Sequence, residues 1–205
     1  VLNAGEVLDP FRGEQLELGV KYDGGSFGGT ASLFTLTRPT AIVRNGIFAD
    51  NGEELSRGLE LSVFGEPAAG VRLLGGLTWL DAELAETQGG VNEGNRPIGV
   101  PELQLNVNGE WDVGAVAGLT LEARLLHTSE QEANAGNTVA LDSWTRVDVG
   151  ARLERRLADR RVTARLRLEN VLDEDYWAST GGFPGANYLV LAEPLTVRLS
   201  ASVDL

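Results

Sequence analysis

The residues able to do chemistry are few. The 205-residue chain has no cysteine and a single histidine, His127. Disulfides, CxxC redox pairs and thiolate metal sites are therefore excluded, as is any multi-histidine cluster. A Ser-His-Asp reading would hang on His127, with Ser129 and Glu130 close by in sequence. Adjacent residues of a strand face opposite ways, and no G-x-S-x-G elbow is present, so no catalytic residue is assigned and the chain is not read as an enzyme. Two acidic runs, Asp50 with Glu53 and Glu54, and Asp173-Glu174-Asp175, offer oxygen ligands for hard cations. Neither has the D-x-D-x-D-G spacing, so no metal site is assigned and both read as solvated loops. The glycine pairs form no G-x-G-x-x-G or P-loop, and no nucleotide site or resident cofactor is indicated.

Arginines, amides and aromatics in the longer connections form a different kind of candidate. Arg44, Asn45, Asn95, Arg96, Trp177 and Tyr188, with Phe48, Asn92 and Phe183 beside them, suit recognition of an anionic, aromatic metal chelate by charge-assisted hydrogen bonds and stacking. Ordinary loop composition is the competing reading for each. The net charge of -13 argues against nucleic acid as a partner, and the arginine cluster in ARLERRLADRRVTARLRLE (151-169) lacks interleaved aromatics.

The elements that must position these residues share a period of two. Leu16, Leu18, Val20 and Tyr22 alternate with polar residues, as do Leu59-Val63, Leu103-Trp111, Val147-Leu153, Val162-Leu168 and Val197-Leu205. Segments 27-37, 71-84 and 119-128 follow less cleanly, which makes nine strands. Residues 151-169 also carry good helix formers, but the alternation on both sides of RRLADRR favours strand-turn-strand over helix.

The connections alternate short (23-26, 66-70, 112-118, 155-161) and long (38-54, 86-100, 129-142, 171-187). Outer-membrane barrels have short periplasmic turns, long extracellular loops and strands of about ten residues with one apolar and one polar face. A mean hydropathy of -0.08 is what such alternation produces. Tyr22 and Trp111 fall near the short turns, Trp79 and Trp144 towards the long loops, as interface anchors in two girdles would. A complete small outer-membrane barrel and a soluble β-sandwich share the alternation and remain the alternatives.

Several segments resemble a known family. LRLENVLDEDYW (166-177) resembles the N-L-F-D-x-x-Y box near the end of TonB-dependent outer-membrane receptors. The siderophore-receptor branch is resembled, in order, by EQLELGVKYD (14-23), SRGLELSVFGEP (56-67), LLGGLTWLDAEL (73-84), GNRPIGVPELQLNV (94-107) and LDSWTRVDVGAR (141-152). VRLSASVDL (197-205) is similar to the family's last strand, with Val197, Leu199, Ala201, Val203 and Leu205 as its outer-membrane sorting signal, although the family usually ends on an aromatic. The resemblance implies a bacterial outer-membrane location and an all-β antiparallel transmembrane barrel of about 22 strands around a plug. It implies TonB-dependent uptake of a ferric siderophore, as cargo rather than cofactor. The implied partners are the TonB complex, the barrel assembly machinery, outer-membrane lipid and lipopolysaccharide.

An odd strand count, with short turns periplasmic, places residues 1-11 outside the cell. Residues 1-205 are therefore expected to be the C-terminal portion of a longer receptor barrel, with the plug domain absent from this stretch.

Overall fold

The computed structural model describes residues 1-183 and 186-204. Nine strands build one antiparallel sheet: β1 (Glu14–Asp23), β2 (Phe27–Arg44), β3 (Ile47–Ala68), β4 (Val71–Glu86), β5 (Leu103–Asp112), β6 (Leu119–Thr128), β9 (Trp144–Leu157), β10 (Arg160–Glu169) and β13 (Thr196–Val203). Two small hairpins sit in the long connections, β7 (Gln131–Glu132) with β8 (Ala140–Leu141), and β11 (Trp177–Phe183) with β12 (Ala186–Leu191). The main sheet runs β1-β2-β3-β4-β5-β6-β9-β10-β13, so β1 and β13 are its two edges.

Register turns nine local alternations into two continuous faces. Directly opposed residues of antiparallel strands point to the same side. Val20 lies opposite Ala31, Ala31 opposite Leu61, Leu61 opposite Leu77, and Leu77 opposite Leu105. At the other edge, Ala151 lies opposite Leu166 and Leu166 opposite Leu199. These apolar residues have no second layer to pack against. Among the described residues, the buried apolar side chains are Ile42, Ala82 and Leu141 alone, while Leu18 and Leu199 are 78% and 79% exposed. A sandwich buries its apolar stripes against a facing sheet. This sheet presents them outward as a band, which removes the sandwich alternative.

Register also sets the tilt. The row from Tyr22 runs through Gly29, Val63, Gly75, Val107 and Leu125 to Val147. Beyond that row β1 continues for one residue, to Asp23, and β9 for ten, to Leu157. The nine extra residues are about 30 Å of strand, gained across six inter-strand steps of about 4.8 Å. The strands are therefore inclined by roughly 45°, the slant of a membrane barrel.

The connection 38-54 is not an irregular loop. β2 and β3 continue through it as an extended hairpin closed at Asn45-Gly46, whose φ values of 54° and 79° make a two-residue turn with both residues left-handed. Asn-Gly is the strongest short hairpin signal, and here it outweighed the polar composition that suggested a loop. Ala158-Asp159 closes β9 onto β10 in the same way, with φ 47° and 64°, so strand-turn-strand is the arrangement of residues 151-169. Residues 1-6 lie against the Asn45-Gly46 tip at the long-loop end, where Asn3 both donates to Phe48 O (2.8 Å) and accepts from Phe48 N–H (3.0 Å).

The polar face is tied by ion pairs. Arg152 bridges Glu110 (3.1 Å) and Glu122 (3.4 Å), and Arg72 joins Glu110 (2.9 Å) to Asp112 (2.6 Å). Nearer the long loops the chain runs Glu193–Arg198–Glu169–Arg146–Asp148, with separations from 2.7 to 3.2 Å. It ends on Asn170, which is wholly buried with φ 55°. Asn170 N–H donates to Asp148 Oδ1 (2.9 Å), and its amide donates to Glu174 O (2.9 Å) and Glu193 O (3.2 Å) while accepting from Glu174 N–H (3.1 Å).

Two outcomes follow for a receptor carrying this chain. Leu166→Arg places a charge midway along the apolar face and is expected to cost about 2–4 kcal/mol in urea unfolding from lipid vesicles, whereas Arg165→Gln on the other face stays within about 0.5 kcal/mol. Asn170→Ala leaves three partly buried backbone groups of Glu174 and Glu193 without their side-chain partner and puts alanine in a left-handed turn, and is expected to lose about 2–4 kcal/mol in the same assay.

Candidate functional site

At the long-loop end of the polar face, alternate residues of four neighbouring strands converge on a cavity of about 490 Å³. Its wall carries Thr78 from β4, Gln104 and Asn106 from β5, and Thr128 from β6. Trp144, the first residue of β9, closes one side, and Gln131, Ala178 and Ser179 form a roof. The groups offered are amides, hydroxyls and an indole. Among the described residues at its wall the one ionisable residue is His127, whose side chain the register assigns to the opposite, outward face beside Leu105.

Trp144 does not point outward as an interface anchor. It is opposite Thr128, which is opposite Gln104, and so belongs to the polar face. Its ring stacks on Tyr176 with centroids 4.4 Å apart, and its indole N–H is buried without a partner among the described residues. The reason was available in the sequence: Trp144 lies three residues from Val147, an odd step, and so falls on the opposite face. Tyr22, Trp79 and Trp111 do share the apolar face and are exposed.

The roof is laced from three connections. Arg96 and Asn137 are doubly joined, Arg96 N–H donating to Asn137 Oδ1 (2.8 Å) and Asn137 Nδ2 to Arg96 O (3.0 Å). Asn95 donates its amide to Ala135 O (2.9 Å), and Gly99 N–H reaches Glu132 O (2.9 Å). From β12, Asn187 Nδ2 reaches Ala133 O (3.4 Å). Asn137 holds φ 49°, a conformation that asparagine tolerates better than most residues.

The structure separates the residues that the sequence grouped. Arg44 is paired with Glu86 and Arg96 with Glu102, while Arg38 is paired with Glu54. Asn45 is a turn residue at the far tip of the β2–β3 hairpin, and Asn95 is spent on the lacing. Trp177 opens β11, while Tyr188 lies on β12 opposite Gly181 and is 58% exposed. The side chain of Phe183 and the whole of Leu205 lie outside the described residues, whereas Val197, Leu199, Ala201 and Val203 line the outward face of β13. His127 sits opposite Leu105, its Nδ1 2.9 Å from Thr145 Oγ1, and Ser129 Oγ accepts Leu103 N–H. Asp173 accepts Leu195 N–H, and Glu174 is part of the Asn170 knot. The amides and hydroxyls of the cavity went unmarked in the sequence, although they are the polar half of the alternation at this end of the strands.

Asn137→Ala removes both side-chain links to Arg96. Amide exchange at residues 92-100 and 133-139 is expected to rise by about tenfold, with the membrane strands unaffected.

The sequence matches the family described as TonB dependent receptor-like, beta-barrel, over residues 2–171. It is 40% identical to the ferrichrome receptor FcuA of Yersinia enterocolitica, across 100% of this chain and 27% of the relative. It is 28% identical to the ferrichrome outer membrane transporter/phage receptor of Escherichia coli K12, across 92% of this chain and 27% of the relative. The crystal structure of BauA, the ferric preacinetobactin receptor of Acinetobacter baumannii, superposes with a TM-score of 0.88 at 38% identity, over 99% of this chain and 31% of that one. The chain thus spans about a quarter to a third of the proteins it matches. A slanted antiparallel sheet with an apolar outer band and a laced, wet inner wall is a portion of such a barrel, and the chain belongs to the TonB-dependent receptor β-barrel family.

Proposed function

We propose that this chain forms nine strands of the wall of a larger TonB-dependent receptor that takes up a ferric siderophore across the bacterial outer membrane. One observation carries the reading: the uncharged, hydrogen-bonding cavity on the inner wall beneath the laced loops. The outer-membrane location follows from the family, and its members are receptors rather than enzymes. Similarity to receptors named for ferrichrome and preacinetobactin supports a siderophore as cargo. The two unpaired edges, β1 and β13, support further strands on either side, because open edges in hydrocarbon leave backbone groups unsatisfied. In this reading, segments outside these strands supply the plug and the contact with the TonB complex. The outward row of β13 serves the barrel assembly machinery, and the apolar band meets lipid and lipopolysaccharide.

The charges point to a particular chelate. Arg38, Arg44 and Arg96 are already neutralised by Glu54, Glu86 and Glu102, and the cavity wall is amide and hydroxyl. This surface suits a chelate without net negative charge, in contrast to the anionic ligand that Arg44 and Arg96 first suggest. Three hydroxamates neutralise ferric ion, whereas three catecholates leave it triply anionic. A receptor carrying this chain is expected to bind a ferric tris-hydroxamate at least about tenfold tighter than a ferric tris-catecholate, measured by quenching of tryptophan fluorescence. Iron uptake by cells expressing it in place of their own receptors tests the transport reading. Absence of uptake with both chelates would defeat it.

A further inference from the structure

One short turn differs from the rest. The connections 24–26, 69–70 and 113–118 contain no basic residue, and the outward residues near them include Tyr22 and Trp111. The β9–β10 turn holds Arg155, Arg156, Arg160 and Arg161, four of the chain's 17 basic residues. All four are exposed. Among the described residues, no carboxylate forms an ion pair with Arg155, Arg156 or Arg160, and Arg161 meets Asp204 only at 3.9 Å. Glu154 is drawn instead to Arg152 (3.4 Å).

Register divides the four arginines between the faces. Arg155 is opposite Val162, and Arg160 is opposite Leu157. Both continue the outward row that begins with Leu153, Ala164 and Leu166, so their side chains stand on the membrane side of the wall. Arg156 and Arg161 are opposite one another on the inner face. The outward row therefore passes, within a few residues, from hydrocarbon-facing leucine and alanine to two arginines at the water boundary. The slanted register brings this turn level with the other short turns, at the periplasmic surface. A shallow groove of about 530 Å³ separates the arginines, with Glu154, Asp159 and Asp204 also lining it. Arg155 and Arg160 are diagonal neighbours on one face of the hairpin, and like charges so placed are eased by an anion between them. At this height, on this face, the anions within reach are the phosphates of the inner leaflet, and the guanidinium fork matches phosphate geometry.

We propose that Arg155 and Arg160 form a binding site for the phosphate headgroup of an anionic phospholipid in the periplasmic leaflet. The site fastens the β9–β10 hairpin at a fixed depth, and it depends on the membrane location rather than on the identity of the transported chelate.

Native mass spectrometry of the receptor carrying this chain, in nonionic detergent with added phosphatidylglycerol or phosphatidylcholine, tests the site. The wild type is expected to retain phosphatidylglycerol in preference to phosphatidylcholine. R155Q/R160Q is expected to weaken retention about thirtyfold. R155K/R160K should keep most of it, and R156Q/R161Q, which alters the inner face, should stay within about threefold of wild type. Equal retention of both lipids, or undiminished retention by R155Q/R160Q, would overturn the site. So would an equal loss in R156Q/R161Q, which would place the bound anion on the inner face. Heat-modifiable gel migration checks that each variant is folded. If R155Q/R160Q is not, salt titration of the wild type decides, since retention unchanged between about 0.05 and 0.5 M salt would refute a phosphate contact.

Discussion

Surrounded by hydrocarbon, every backbone amide and carbonyl must find its partner within the protein, because no water is there to replace it. Nearly everything in this chain follows from that constraint. It dictates long, continuously paired strands. Pairing imposes a period of two, and the period sends each residue to lipid or to the interior. The ladder from β1 to β13 then adds the information that no single strand contains. It lines up Leu16–Tyr22 with Leu103–Trp111 and with Val197–Val203 as one band. A slip of one residue at any pairing would turn a whole strand's apolar set inward. The slant of roughly 45° comes from the same register, and it brings the successive short turns to a common plane.

The inner face answers the opposite demand. Here charged and polar groups are brought close, and they satisfy each other before they can satisfy a ligand. Arg72, Arg146, Arg152 and Arg198 each serve two or more carboxylates. Asn170 holds the following connection to β9 and to the segment entering β13 through four hydrogen bonds. The loops above are joined in the same manner, with Asn137 and Arg96 paired edge to edge. What remains uncommitted is informative by contrast. The amides and hydroxyls of Thr78, Gln104, Asn106 and Thr128 are left at the cavity, and Arg155 and Arg160 are left without a carboxylate partner among the described residues.

Turn chemistry was legible locally where it was read by residue type. Asn45-Gly46 and Ala158-Asp159 both close hairpins with left-handed residues, yet only the second was read as a tight turn. The first was obscured because its flanking apolar residues, Ala41-Ile42-Val43 and Ile47-Phe48-Ala49, run consecutively and show no period of two. Trp144 was misplaced for a related reason. Nearness to a long loop suggests an interface ring, whereas the odd step to Val147 sends the side chain inward.

By itself, the amino-acid order determined the strands, their faces and the alternation of short and long connections, because a period of two and turn-forming residues are properties of neighbours along the chain. It carried the family resemblance for the same reason. The fate of the charged and amide side chains was decided only by the tertiary structure. Whether Arg44, Arg96 or Asn95 is free for a ligand depends on whether Glu86, Glu102 or the Ala135 carbonyl arrives first. Glu86 and the Ala135 carbonyl come from a different strand and a different connection, at distances that no spacing along the chain encodes, and Glu102 meets Arg96 only through the path of their shared connection. The wet cavity was decided in the same way, being the space left where Thr78, Gln104, Asn106 and Thr128 meet from three strands.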